Sequence, residues 1–336
     1  MKKAIFILAL ALTGSITFAQ DTPLEISGSG DLYYKYDFAK TGNIGTSFAN
    51  EQNSVSLGML DIALKKTTGK TSFVGEVSFG PRGQFQSIPN LDGTYDEGTN
   101  SFHIQNLYAT YAATDKLSFT AGYMGTFIGY EVISPLANFH YSTSYLFTNG
   151  PFQNAGVKAN YAISDKVGIM VGAFNDSWNK YQADPVKGLN AIGAQLSLAP
   201  TEGISAYLNF MDGSVSGTIF DLTASFQLTD KFMLGLNAAD FSNEGDVGYT
   251  GVALYPSVSI TDNFGLGLRG EYFDYKVGSG DTSVTALTLS ANLKSGGLTF
   301  IPEFRLDSGK DDIFVDSDMM ATKSASQVTF AVVYGF

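Results

Sequence analysis

LEISGSGDLYYKYDF, residues 24–38, alternates in steps of two. Leu24, Ile26, Leu32, Tyr34, Tyr36 and Phe38 fall on one face, and Glu25, Ser27, Asp31, Tyr33, Lys35 and Asp37 on the other. This is the period of a β-strand, whose successive side chains point to opposite sides of the sheet. The alternation recurs in AYLNF (206–210), GTIFDLTASFQL (217–228), LTFIPEF (298–304) and the closing VTFAVVYGF (328–336). Most such segments are about ten residues long; soluble strands run about 5–6, whereas a tilted membrane-crossing strand needs roughly 9–11. Strand length therefore points to a membrane.

The connectors carry the count. Seven are tight: TTGK (67–70), ATDK (113–116), ISDK (163–166), APTEG (199–203), LTDK (228–231), ITDN (260–263) and KSGG (294–297). Asp, Asn, Gly and Ser suit such turns because they bond back to their own backbone or accept positive φ. Eight other connectors, centred near 45, 90, 138, 182, 214, 244, 278 and 315, are mostly longer and more polar. Short and long alternate, so the two rims of the sheet differ. Seven turns and eight loops join sixteen strands, and an even count puts both termini on the short-turn side. The expected fold is all-β: a membrane-spanning, up-and-down antiparallel barrel of about 16 strands with short periplasmic turns and long extracellular loops. In hydrocarbon every backbone N–H and C=O must be paired, and a sheet achieves that only by closing. Sixteen strands leave an aqueous lumen. Segments 54–66 and 189–198 alternate weakly, which leaves the count between 14 and 18. Asp61 shares the parity of Leu57 and Met59, which predicts a bulge there.

Composition agrees. Gly 37, Phe 26 and Tyr 18 are high, charged residues make up only 15%, and there is no cysteine. Thiol catalysis, Cys-based metal sites and disulfides are thereby excluded. Lys2 and Lys3, the apolar AIFILALAL (4–12) and Thr17-Phe18-Ala19 read as a cleaved export signal over 1–19, leaving one barrel domain over 20–336. Removing the two lysines takes the net charge from −12 to −14, the wrong sign for nucleic acid. Local strings that mimic soluble chemistry fail on context. GLGLRG (265–270) is followed by EYFDYK and no helix, so the dinucleotide reading fails. DSGKDDIFVDSD (307–318) lacks the spacing of a Ca²⁺ loop and reads as a solvated loop, so neither metal nor cofactor is expected.

The alternation also assigns charges to the lumen, since a cation on the lipid face costs about 2–4 kcal/mol at the midplane. They are Glu25, Asp31, Lys35, Glu76 and Lys158, followed by Asp221, Arg269, Glu271, Glu303 and Arg305. Arg269/Glu271 and Glu303/Arg305 are i, i+2 neighbours, so the set reads as paired wall charges or as a transverse field of acids opposite bases. Trp178, Tyr181, Phe241 and Tyr272 are candidates for the aromatic girdle opposite the C-terminal one.

The segment IGYEVISPLANFHYSTSYLFTNGPF (128–152) resembles the OmpL-like beta-barrel porins of the outer membrane. The resemblance rests on Gly129-Tyr130-Glu131-Val132, Asn138-Phe139, Ser144-Tyr145-Leu146-Phe147 and Gly150-Pro151-Phe152. It implies a porin-like channel of a Gram-negative outer membrane, names no solute and carries over no catalytic residue. The terminal Tyr334-Gly335-Phe336 resembles the last strand of such barrels, where the final aromatic is a sorting signal to the assembly machinery. The third long connector, 127–151, is then the expected constriction, with Tyr130, Glu131, His140 and Tyr141 at its rim. Packing of this loop on the wall or at a subunit contact is the alternative.

The expected function is passive diffusion of small hydrophilic solutes and ions, with mild cation preference from the acidic balance. The expected partners are outer-membrane lipid, the barrel assembly machinery and the solutes themselves, with monomer and homotrimer both open. Two rivals remain: a scaffold or binding barrel with a blocked lumen, and an outer-membrane hydrolase built on His140 with Ser142 and Ser144 nearby.

Overall fold

The computed structural model describes residues 21–82, 102–175, 188–278 and 280–336. The export signal over 1–19 and the girdle candidates Trp178 and Tyr181 lie outside them. The first half of the sheet is β1 (Glu25–Asp37), β2 (Val55–Thr68), β3 (Thr71–Phe79), β4 (Phe102–Ala112), β5 (Leu117–Gly125), β6 (Gln153–Ser164), β7 (Val167–Asn175) and β8 (Leu189–Leu198). The second is β9 (Ile204–Gly213), β10 (Gly217–Gln227), β11 (Phe232–Asn243), β12 (Val247–Thr261), β13 (Phe264–Val277), β14 (Thr282–Ser295) and β15 (Leu298–Gly309). Two short strands, β16 (Phe314–Val315) and β17 (Ala321–Thr322), pair inside the last loop before β18 (Ser324–Gly335). One helical turn, α1 (Tyr145–Asn149), lies in the connector between β5 and β6.

From β1 to β15 each strand pairs antiparallel with the next, β15 pairs with β18, and β1 pairs with β18 from Ser29↔Gly335 to Asp37↔Gln327, closing a barrel of sixteen strands. The C-terminal residue completes the seam. Phe336 N donates to Gly28 O at 3.0 Å, and Gly28 N donates to Phe336 O at 3.1 Å. Position 28 must be glycine-sized: a Cβ there would meet the Asp61 carbonyl and come within 2.7 Å of the Phe336 ring. Phe336 and Tyr334 are exposed on the outside and stacked on each other.

Alternation sorts the side chains as strand geometry requires. Leu32, Leu254, Leu289, Phe300 and Phe330 are exposed on the outer face, while Asp31, Ala253, Ser290, Ile301 and Ala331 are buried within. The irregularity at Asp61 is a bulge: Gly30 faces Leu60 and Leu32 faces Leu57, so Gly58 and Met59 share one place opposite Asp31. The extra residue restores parity, turning both Met59 and Asp61 inward while Leu57 and Leu60 stay outside.

The seven turns fall where the sequence places them. The other rim is less uniform than expected. The connectors at 214–216 and 244–246 have three residues and that at 278–281 four, because β9 to β14 run on into what read as loop. Phe241 also departs from the girdle expectation: it faces inward and packs on Tyr249 at 5.2 Å, whereas Tyr272 is exposed outside. Its strand neighbours Asp240 and Ser242 take the outward places, so local hydrophobicity misreads the parity near the rim.

Candidate functional site: the inserted third loop

Residues 126–152, between β5 and β6, do not stand above the barrel. They form a hairpin folded into it. The descending arm starts with Phe127, whose ring packs on Phe174 of β7 at 5.7 Å and covers Gly193 of β8. Gly129 N donates to Asp221 of β10 at 3.0 Å, and Tyr130 stacks on Tyr255 of β12 at 4.5 Å. Glu131 meets Arg269 of β13 at 2.7 Å. Asn138 ties the two arms together, accepting from Val132 N at 3.0 Å and donating to Val132 O at 2.6 Å. Near the tip, Leu136 approaches Gly335 at the short-turn end of β18, so the hairpin reaches down the length of the lumen.

The returning arm lies along β13, β14, β15 and β1. Phe139 rests on Gly265 and Gly267, and a Cβ at Gly267 would strike its ring. These are the glycines of the string that mimicked a dinucleotide fingerprint; here they make room for an aromatic ring. Gly235 likewise makes room for the Tyr130 ring, and Gly251 for the Leu146 side chain. His140 Nδ1 bonds Ser290 at 2.7 Å, and Tyr141 OH donates to Asp31 at 2.5 Å. Burial and nearby Arg269 hold the His140 imidazole well below its usual range, so it is neutral.

A hairpin without a sheet partner leaves its backbone groups open, and buried N–H and C=O groups require partners. The wall supplies most of them as charges, and Glu131 of the hairpin itself supplies another. Glu303 accepts from Tyr141 N at 2.9 Å and Ser142 N at 3.1 Å. Glu271 accepts from Tyr145 N at 2.9 Å and Leu146 N at 2.8 Å, and Glu131 accepts from Ser144 N at 2.8 Å and from Ser144 Oγ. Arg269 donates to Ser142 O at 2.6 Å, and Arg305 to Thr143 O at 2.7 Å. Each such charge-assisted bond is worth about 1.5–3 kcal/mol. Arg305 is oriented by a two-pronged pair with Asp307, at 2.8 and 2.9 Å. The i, i+2 neighbours Arg269/Glu271 and Glu303/Arg305 therefore form no pairs with each other: the ion pairs run to Glu131 and Asp307 instead.

The remaining sequence-assigned charges divide in two. Asp31 is buried, donated to by Met59 N at 2.9 Å, with Arg82 at 3.5 Å; Lys35 donates to Asn50 O of the first loop at 3.1 Å. Asp221 also accepts from Asn209 and Asn237, both at 2.6 Å. Glu25 is exposed at the rim, 4.0 Å from Lys65. Glu76, bonded by Asn106 at 2.5 Å, and Lys158 lie on the half of the wall that the hairpin leaves uncovered.

Arg82 was not legible in the sequence. It sits at the start of the second loop, its guanidinium between the rings of Phe48 (4.7 Å) and Tyr141 (4.6 Å), joining the first three loops. The glycines on lumen parity were the readable signal for the docked hairpin: a missing side chain there marks where another segment lies on the wall.

A closed barrel of sixteen strands, apolar outside and polar inside, with a long loop folded into its lumen, defines the outer-membrane porin class. Residues 23–336 match the family described as "Putative beta-barrel porin-2, OmpL-like", and the chain belongs to it. It is an outer-membrane porin. Comparison with curated proteins gives no match. Among solved structures, an anion-selective porin from Comamonas acidovorans is similar at TM-score 0.63 and 14% identity, covering 94% of this chain and 99% of that one. The outer membrane channel DcaP of Acinetobacter baumannii gives 0.61 and 13%, covering 93% and 97%. Salmonella typhi OmpF, in complex with daunomycin, gives 0.61 and 10%, covering 94% and 100%. At these identities the likeness is one of fold.

Proposed function

We propose that this porin passes small hydrophilic solutes and ions through a crescent between the inserted hairpin and the inner faces of β3 to β9. One observation carries the reading. Inward groups on β12 to β15, β18 and β1, such as Ala253, Arg269, Thr288, Arg305 and Ala331, are buried, whereas Glu76, Asn106, Tyr108, Lys158, Asn160 and Tyr207 stay partly open. Water and solute have room along the short-turn half of β3 to β9, whereas toward the long loops Phe174, Ala191 and Met211 are buried as well. Tyr130, Glu131, His140 and Tyr141 then shape the constriction from behind, by fixing the hairpin, rather than as groups that solutes touch.

Acids of the last loop, Asp311, Asp312, Asp316 and Asp318, lie at the far mouth, and mild cation preference accompanies the reading. Export by the signal over 1–19, insertion by the assembly machinery on a signal ending in Phe336, and a monomeric or trimeric state belong to the same proposal. The channel reading is preferred to a hydrolase because His140 is buried between the loop that carries it and the wall, bonded to Ser290 and out of a substrate's reach.

Planar-bilayer current and liposome swelling with solutes of graded size test it. A stable open conductance and a size cutoff are expected. A silent protein that is folded and inserted would favour the scaffold reading instead, for which the depth of the hairpin is the supporting observation.

A further inference from the structure

The uncovered half of the lumen is nearly free of charge. On β4, β5, β6, β7 and β8, five consecutive strands, Lys158 is the one Asp, Glu, Lys or Arg. It points inward from β6, between Thr120 of β5 and Gly172 of β7. Its surroundings are small: Gly156 precedes it on the same face, and the Phe174 ring lies over Gly172, where a Cβ would come within 2.5 Å of it.

Other inward cations are already engaged: Lys35 with Asn50, Arg269 with Glu131 and Arg305 with Asp307. The Lys158 side chain makes no hydrogen bond or ion pair with any described residue. The flanking inward acids are held elsewhere, Glu76 on β3 by Asn106 and Asp221 on β10 by Gly129, Asn209 and Asn237. An ammonium left without a protein partner beside a water-filled path keeps its field for mobile ions.

We propose that Lys158 is the selectivity-determining charge of the open path: it draws small anions, chloride or carboxylates, along the β4 to β8 wall and opposes the cation preference of the acidic mouth. The proposal rests on the path described above. In a water-filled lumen a unit charge within several ångströms of the path changes ion occupancy by about threefold.

The test is the reversal potential in a KCl gradient for wild type, Lys158→Gln, Lys158→Glu and Lys158→Arg, with Lys166→Gln on an exposed turn as the control. The K⁺ to Cl⁻ permeability ratio should rise about ninefold in Lys158→Gln, because K⁺ occupancy rises and Cl⁻ occupancy falls by about threefold each, and further in Lys158→Glu. Lys158→Arg and Lys166→Gln should stay near wild type. Potassium acetate should repeat the order. An open wild-type channel whose ratio is the same in the Gln and Glu variants overturns the assignment and leaves the porin path standing. No conductance from folded wild type would overturn the path and the assignment together.

Discussion

Replacing Glu131 by Gln should loosen the inserted hairpin while leaving the barrel intact. The carboxylate receives Arg269 Nη1 at 2.7 Å, Ser144 N at 2.8 Å and Ser144 Oγ. Both partners of the ion pair are buried. Gln keeps the shape and one acceptor but takes away the charge, leaving Arg269 with the carbonyls of Ser142 and Thr143 and the hydroxyls of Ser142 and Thr288. Breaking a buried pair from one side costs about 3–5 kcal/mol, and retained hydrogen bonding brings the expected loss to about 3 kcal/mol. Each 1.4 kcal/mol is tenfold, so the population with the hairpin detached rises about a hundredfold. The sixteen-strand ladder is untouched, and the loss should fall on the hairpin alone. Single-channel recording should therefore show brief excursions to a higher conductance that are rare in wild type. The double variant Glu131→Gln/Arg269→Met should recover part of the loss, because no buried charge is then stranded, and the cycle should yield a coupling of about 1–3 kcal/mol. Current noise and mean conductance equal to wild type in Glu131→Gln would refute the view that the wall charges hold the loop.

Deleting 136–143 removes the hairpin tip with Phe139, His140 and Tyr141, and should raise both conductance and the solute size cutoff; an unchanged cutoff in swelling assays would place the constriction elsewhere. His140 supplies a pH signature. Its folded value lies well below the unfolded value of about 6.5, so below that pH the unfolded chain binds a proton that the folded protein refuses. Its contribution to stability is therefore present at pH 8 and lost as the pH falls, and His140→Gln should unfold with a weaker acid dependence than wild type between pH 7 and about pH 4. Removing Phe336 deletes both backbone bonds to Gly28 at the seam and an interface aromatic, and should reduce the yield of folded, inserted barrel; an undiminished yield on heat-shift gels would argue against it.

The barrel was legible because its rules are local. Two-residue alternation in 24–38 sorts Leu32 from Asp31 without reference to any other segment, and ATDK or KSGG reverses the chain by its own turn chemistry. Even the bulge at Asp61 shows as a broken parity within one strand. Where locality fails, so does the reading. Phe241 looks lipid-facing but turns inward, and the connectors at 214–216 and 244–246 look longer than they are, because the rim is set by how far paired strands extend together.

The same division runs through the site. Sequence by itself determined a porin-like barrel, placed Arg269, Glu271, Glu303 and Arg305 inside, and marked 127–151 as an unusual aromatic connector. Only the tertiary structure decided that those charges clamp that connector, since Glu271 meets Tyr145 across 126 residues and Glu303 meets Tyr141 across 162. No periodicity reaches that far. Strand parity is imposed by the backbone of each segment, whereas the docked hairpin exists because closure brings distant wall charges to unpaired N–H and C=O groups that have nowhere else to bond.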